Sequence, residues 1–172
     1  LEGVEIFKVG LKLFTAEGPS LLKDIKMLGK KIFLDLKLHD IPNTVAEAVR
    51  AAVRHGIEML TLHSSGGREM MERASDSAEA EAEKCGVDKP ILLAVTVLTS
   101  LKAEDLHDIG IPSDALPQVL RLARLAHRAG MEGVVCSPHE IETVKKEIGK
   151  DFLVVVPGIR PSSAAADDQK RI

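Results

Sequence analysis

At 172 residues the chain suits one domain with a real core, and 45% hydrophobic with 28% charged content is ordinary for a globular protein. A net charge of -3 holds no invitation to nucleic acid or an anionic membrane, and four Phe with neither Trp nor Tyr give no base-stacking platform. No apolar run approaches the roughly 20 residues of a membrane helix, and no signal-peptide pattern opens the chain. Cys85 and Cys136 lack CxxC or Cys/His ligand spacing, so they read as buried, reduced thiols of a cytoplasmic protein.

Residues 5–10 form a short β-rich run closed by glycine. After Gly18-Pro19-Ser20, apolar residues at 21, 22, 25 and 28 trace a helical stripe that Gly29 ends. From Phe33, leucines at 34, 36 and 38 alternate with Asp35 and Lys37, the period of a strand. Residues 42–54 are helical, with Val45, Ala48, Val49, Ala52 and Val53 on one side. Residues 59–63 are strand-like and run into Ser64-Ser65-Gly66-Gly67, a βα turn without P-loop spacing. A long polar helix, 68–84, follows, and its Glu/Ala run reads as a solvated face. Residues 91–98 make a near-continuous apolar strand of the doubly covered kind. A short helical excursion (101–109), a stronger helix (115–129), a strand (133–137), a helix (138–148) and a strand (152–158) complete the pattern. The last strand empties into Ile159-Arg160-Pro161 and a small, polar run, 162–168, that suits a lid.

Strand and helix alternate about six times, which parallel βαβ units satisfy. Doubly wound sheets and barrels both fit. Lys8, Asp35, Lys37, His63, Thr99 and Arg160 lie late in different strands or just beyond them. A barrel gathers its C-terminal strand ends into one ring, whereas an open sheet uses one crevice. The expected fold is therefore α/β, a (β/α)8 TIM barrel, with residues 1–172 as one partial domain. Because a complete barrel takes about 250 residues, the expectation is that the first βα unit and the eighth strand are lacking.

Asp35 and Lys37, two apart on one strand, emerge on the same face. Such charges between leucines are expensive to bury unless each neutralises the other. They read as a functional site or as a structural ion pair. Asp40, ahead of Ile41-Pro42, is a candidate for chemistry and equally for a helix N-cap. Lys8 alone is a weak signal, the usual snorkelling lysine. His63 reads as a hydrogen-bonded structural histidine, and His39 as pointing outward into the helix layer. His55, His107, His127 and His139 form no ligand set. Arg160, after Pro-Gly, is the best phosphate candidate.

Lys8-Val9-Gly10, the run from Asp35 through His39-Asp40-Ile41-Pro42-Asn43-Thr44, Val95-Thr96-Val97-Leu98-Thr99-Ser100, Pro157-Gly158-Ile159-Arg160-Pro161 and Asp168-Gln169-Lys170-Arg171 occur in that order. Together they resemble the bacterial type of the orotidine 5'-phosphate decarboxylases, over essentially the whole chain. The resemblance implies a (β/α)8 barrel acting as a homodimer with shared active sites, a small-molecule substrate (orotidine 5'-phosphate), and no metal or organic cofactor. It implies Lys37 as the lysine that protonates C6, Asp35 beside the departing carboxylate, and Lys8 on the ribose hydroxyls and Asp35. Asp40, Ile41 and Thr44 would be lent to the partner's site. Thr99 would meet the pyrimidine edge, Pro157 would border the base, and Arg160 and Gln169 would belong to the phosphate-side loop. The family's first-strand aspartate and last-strand Gly-Arg pair have no counterpart here, so the phosphate site is expected to be incomplete.

A lysine suits this chemistry because it is a compact charge that can give up a proton. A carbanion in the plane of a uracil ring has no π system to delocalise it, so a fixed ammonium must meet it. Phosphate binding, remote from the reacting bond, can drive loop closure. Two alternatives stand beside this expectation. One is a magnesium-dependent sugar-phosphate lyase of the same superfamily, a keto-gulonate phosphate decarboxylase or hexulose phosphate synthase, against which HDIPNT and Thr99-Ser100 speak. The other is an inactive, truncated binding module.

Overall fold

The computed structural model describes residues 3–159 and Arg171. Six strands, β1 (Ile6–Gly10), β2 (Lys31–Leu38), β3 (Met59–His63), β4 (Ile91–Val95), β5 (Gly133–Val135) and β6 (Leu153–Val155), pair in parallel and in chain order. Between them run α1 (Leu11–Glu17), α2 (Ser20–Met27), α3 (Pro42–Val53), α4 (Arg68–Cys85), α5 (Ala103–Asp108), α6 (Ala115–Arg128) and α7 (Ile141–Ile148). Among the described residues strand order never reverses, so they hold no switch point of the doubly wound kind, and the sheet curls as half of a barrel.

Alternation along the strands divides the apolar residues into two sets. Val9, Ile32, Leu34, Leu60, Leu62, Leu92, Ala94 and Val134 face outward and are packed under the helices. Leu93, Val95 and Val135 face the concave side, with Phe33, Met59, Ile91, Leu153 and Val155 half-buried against them. The outer layer is the main core. Gly133 has a packing reason, since a Cβ there would lie 2.4 Å from the Leu153 carbonyl oxygen and prise β5 from β6.

At the N-terminal ends of the strands two glutamates play one role twice. Glu58, just before β3, accepts the Ile32 N–H on one carboxylate oxygen and Lys26 at 2.9 Å on the other. Glu132, just before β5, accepts the Leu92 N–H at 2.8 Å and pairs with Lys89 at 2.9 Å. Each thereby ties its own strand to the preceding neighbour.

Several elements depart from expectation. α1 was not anticipated; it buries none of its residues, so it has no apolar stripe to read. α4 is not solvated all round: Met70, Met71, Ala74, Ser77, Ala78 and Ala82 are buried, and Glu81 is buried beside Arg54 at 2.6 Å. The strands expected at 91–98, 133–137 and 152–158 end sooner, at Val95, Val135 and Val155. Past β4, the Thr96 hydroxyl donates to the Val135 carbonyl at 2.9 Å. The helix expected at 138–148 is split, because Ser137 and Glu140 form a capping box around a 3-10 turn, Pro138–Glu140. Cys136 is buried but Cys85 is exposed, at the polar end of α4.

Candidate active site

Three charged side chains meet on the concave side. Asp35 Oδ1 accepts from Lys37 Nζ at 2.8 Å, and Oδ2 accepts from Lys8 Nζ at 3.3 Å. The Thr61 hydroxyl of β3 donates to Asp35 Oδ1 at 3.0 Å. Asp35 is the enclosed member, with its side chain 12% exposed against 36% for Lys37 and 56% for Lys8. β1 delivers Lys8 by register: Lys8 pairs with Phe33 and Gly10 with Asp35. Gly10 leaves the room, since a Cβ there would lie 3.2 Å from Lys8 Nζ.

Lys37 is held in an unusual backbone. Its φ is +52°, the sole positive value outside glycine among the described residues. The register of β2 against β3 shifts between Leu34 and Leu38, pairing with Leu60 and Leu62, so β2 carries two extra residues there. The Lys37 N–H, displaced from the ladder, donates to Thr61 Oγ1 at 2.9 Å. Left-handed backbone at a non-glycine residue costs about 1–3 kcal/mol and persists where surroundings over-determine it. Thr61 does that here, as acceptor to the backbone and donor to Asp35. Sequence reasoning passed over Thr61; its signal was a hydroxyl on the concave-facing alternate of β3, between Leu60 and Leu62.

Burial by itself would raise the Asp35 pKa, but the hydrogen bond and charge of Lys37, then Thr61 and Lys8, outweigh it and hold the carboxyl below its ordinary value. The cluster carries two ammonium groups on one carboxylate. Lys37 borders two spaces. One is an open groove of about 450 Å³ shared with Lys8, Gly10, Leu11 and Asp35. The other is a cavity of about 100 Å³ lined by Val95, Thr99, Cys136 and Pro157 among others. A larger cavity, about 740 Å³, lies at the other end of the strands around Glu58 and Lys89. Size does not mark the site, because Glu58 and Lys89 are already engaged, by Lys26 and the Ile32 N–H and by Glu132.

Asp40, Ile41 and Thr44 are not gathered into this cluster. All three are exposed, Ile41 at 66%. Asp40 is not the cap of α3 either: its Oδ1 accepts the adjacent Ile41 N–H at 2.6 Å, and the N-cap position belongs to Ile41. Thr99 is buried. His39 is exposed, and its ring lies 5.3 Å from that of His63 rather than within the helix layer. Burial first, then His39 and Lys37, lowers the His63 pKa. Arg160, Gln169 and the run 162–168 lie outside the described residues.

Such an arrangement can stabilise negative charge beside Lys37 Nζ and deliver a proton to it, with the ammonium fixed by Asp35 before any ligand arrives.

Residues 2–172 match the family model described as Orotidine 5'-phosphate decarboxylase / HUMPS family. The chain is 52% identical over 169 residues to the orotidine 5'-phosphate decarboxylase of Pelobacter propionicus, covering 98% of this chain and 69% of that protein. It is 48% identical over 172 residues to that of a Nostoc species, covering 99% and 72%. A crystal structure of orotidine 5'-phosphate decarboxylase from Lactobacillus acidophilus superposes with a TM-score of 0.84 at 44% identity, over 90% of this chain and 69% of that one. An uncharacterized conserved protein from Geobacillus kaustophilus gives 0.85 at 40% identity, over 90% and 73%. By sequence and by fold, the chain belongs to the orotidine 5'-phosphate decarboxylase / HUMPS family.

Proposed function

We propose that this protein decarboxylates orotidine 5'-phosphate to uridine 5'-monophosphate and carbon dioxide, in pyrimidine synthesis. The observation that carries the reading is the Lys8–Asp35–Lys37 cluster on the concave side, in a chain about half identical to decarboxylases of that name. The bond from C6 to the carboxylate carbon breaks and its electron pair stays on C6. Lys37 stabilises that charge as it forms and then transfers a proton to C6, becoming a neutral amine. Asp35 sits beside the departing carboxylate and keeps Lys37 charged and aimed, while Lys8 steadies Asp35 and binds ribose hydroxyls. Thr99 and Pro157 bound the base, and Arg160 and Gln169 take the phosphate side.

Asp40, Ile41 and Thr44 act in the site of a second copy, within a homodimer in the cytoplasm. Their exposure supports this: a 66%-exposed isoleucine next to an aspartate outside every described ion pair is chemistry without a local employer. Residues 1–172 serve as one β/α barrel unit.

A magnesium-dependent sugar-phosphate lyase of the same superfamily is the second reading, since the matching family model carries the second name HUMPS beside the decarboxylase. Both Asp35 oxygens are engaged, by Lys8 on one side and by Lys37 and Thr61 on the other, which suits metal-free use better than a magnesium ligand. The test is a turnover assay with orotidine 5'-phosphate and, separately, with a keto-gulonate or hexulose phosphate, each with and without EDTA, beside calorimetric titration with uridine 5'-monophosphate. Turnover of orotidine 5'-phosphate indifferent to EDTA supports the decarboxylase. Turnover of the sugar phosphate alone, abolished by EDTA and restored by magnesium, supports the lyase, and nucleotide binding without any turnover supports a binding module.

A further inference from the structure

The charged cluster uses the C-terminal ends of β1, β2 and β3. The opposite wall of the small cavity at Lys37, built from Val97, Leu98, Thr99, Ser100, Cys136 and Pro157, lies past the ends of β4 and β5 at Val95 and Val135, where the Cys136 N–H still donates to the Val155 carbonyl at 3.2 Å but the segment from Val97 to Ser100 lies in no strand. One residue holds much of it. The Arg171 N–H donates to the Thr99 carbonyl at 3.0 Å, and its guanidinium Nη2 donates to the Val97 carbonyl at 3.1 Å and reaches that of Leu98 at 3.5 Å. Its Nη1 pairs with Glu140 Oε1, and its own carbonyl accepts from the Ser137 hydroxyl. Glu140 in turn accepts the Ser137 N–H at 2.8 Å, closing the capping box after β5.

The ion pair is enclosed, with side chains 14% and 5% exposed for Arg171 and Glu140. Both terminal nitrogens of the guanidinium are engaged, while its Nε is buried without a partner among the described residues; a buried pair of this kind contributes little net stability, so its value here lies in fixing geometry. The planar fork of arginine can serve a carboxylate and neighbouring carbonyls at once, and a single ammonium cannot. Cys136, next to Ser137, is apolar filling: burial first, then Glu140, pushes its thiol up to about 12, so it lines the wall without charge.

We infer that Arg171 is a positioning residue for the decarboxylation, clamping the segment after β4 to the turn after β5 so that Thr99 is fixed against the base opposite Lys37. This rests on the decarboxylase reading. The wall meets substrate in the bound and the reacting state alike, so losing it raises KM more than it lowers kcat.

The experiment is steady-state kinetics with orotidine 5'-phosphate on the full-length protein and its Arg171→Ala, Arg171→Lys, Glu140→Gln, Thr99→Ala and Arg171→Ala/Thr99→Ala variants. Arg171→Ala is expected to raise KM about tenfold while kcat falls less than about threefold. Arg171→Lys and Glu140→Gln are expected to raise it by about threefold, as partial clamps. The double variant is expected to lose no more than about twofold beyond Arg171→Ala, because the two residues act on one contact. Effects of Arg171→Ala and Thr99→Ala that multiply, an unchanged KM, or an equal loss of kcat and kcat/KM overturns the inference. Should Arg171→Ala fail to fold, Arg171→Lys combined with Thr99→Ala answers the same question. A parent protein without turnover overturns the decarboxylase reading itself, which separates the two failures.

Discussion

The two ends of the sheet are made from the same residue types and differ in what is left over. At the N-terminal end, Glu58 and Glu132 each hold one lysine and one backbone N–H, at 2.9 and 2.8 Å where the lysine–Glu58 and N–H–Glu132 contacts are concerned, so charge terminates there. At the C-terminal end, one carboxylate is shared by two lysines, and the residue carrying the nearer amine sits in left-handed backbone. The first arrangement is satisfied and tolerates any reasonable ion pair. The second keeps a surplus positive charge facing a groove and maintains a strained residue to aim it. Local strain and unbalanced charge, held in place by neighbours such as Thr61, are the mark of the working end.

The largest expected effect tests that surplus. Lys37→Ala should lower kcat by about 10⁴-fold or more, measured by loss of orotidine absorbance, while the melting temperature stays near that of the parent. Lys37→Gly, equally inactive, should be more stable than Lys37→Ala by about 1 kcal/mol, because glycine accepts positive φ freely. Chemical denaturation compares them, and a less stable glycine variant would remove the strain from the account. Asp40→Asn should cost about 10²-fold in kcat/KM. Mixed in equal amounts with Lys37→Ala it should recover about a quarter of the active sites, since half the dimers are hybrids and each has one intact site. No recovery would leave Asp40 within its own subunit.

The other end should respond in stability instead. Glu58→Ala leaves the Ile32 N–H and Lys26 without their acceptor and should cost about 1–3 kcal/mol by urea unfolding, with kcat/KM unchanged. Lys26→Ala, an exposed partner, should cost less than about 1 kcal/mol. A Glu58→Ala enzyme that loses activity in parallel with its stability would mean that the ends are not separable.

Much of this division was legible in the amino-acid order. Period-two alternation around Leu34, Leu36 and Leu38 put Asp35 and Lys37 on one face, and six strand–helix repeats with polar residues at several strand ends pointed to a barrel-like winding. What could not be read depends on partners distant in the chain. Nothing in Leu36-Lys37-Leu38 announces an irregular register, because the left-handed turn at Lys37 is held by Thr61, 24 residues away. Arg171 was visible only as the end of a motif, and its role comes from carbonyls more than 70 residues earlier. α1 was missed for the opposite reason: it packs too lightly to leave a pattern. Ser137-Pro138-His139-Glu140 did carry a readable capping-box signature, and it sets where α7 begins.

The smallest expected effect concerns His63, which stands between the cluster and His39. Burial, His39 and Lys37 all disfavour its imidazolium, so its folded pKa lies below the ordinary 6.5. The unfolded chain therefore binds the proton first. Between 6.5 and the lower folded value, unfolded protein holds more protons than folded, and stability falls as pH falls through that window; above 6.5 the full contribution is present. Asp35 behaves in the same direction at lower pH, its contribution being complete above 3.8 and lost only below it. Unfolding free energy measured from pH 7.5 to 5 should thus decline in the parent and flatten in His63→Gln, whose amide has no proton to gain. A parent protein whose stability is level across that interval would mean that His63 keeps an ordinary pKa, and that neither its burial nor the positive charge of Lys37 disfavours its imidazolium.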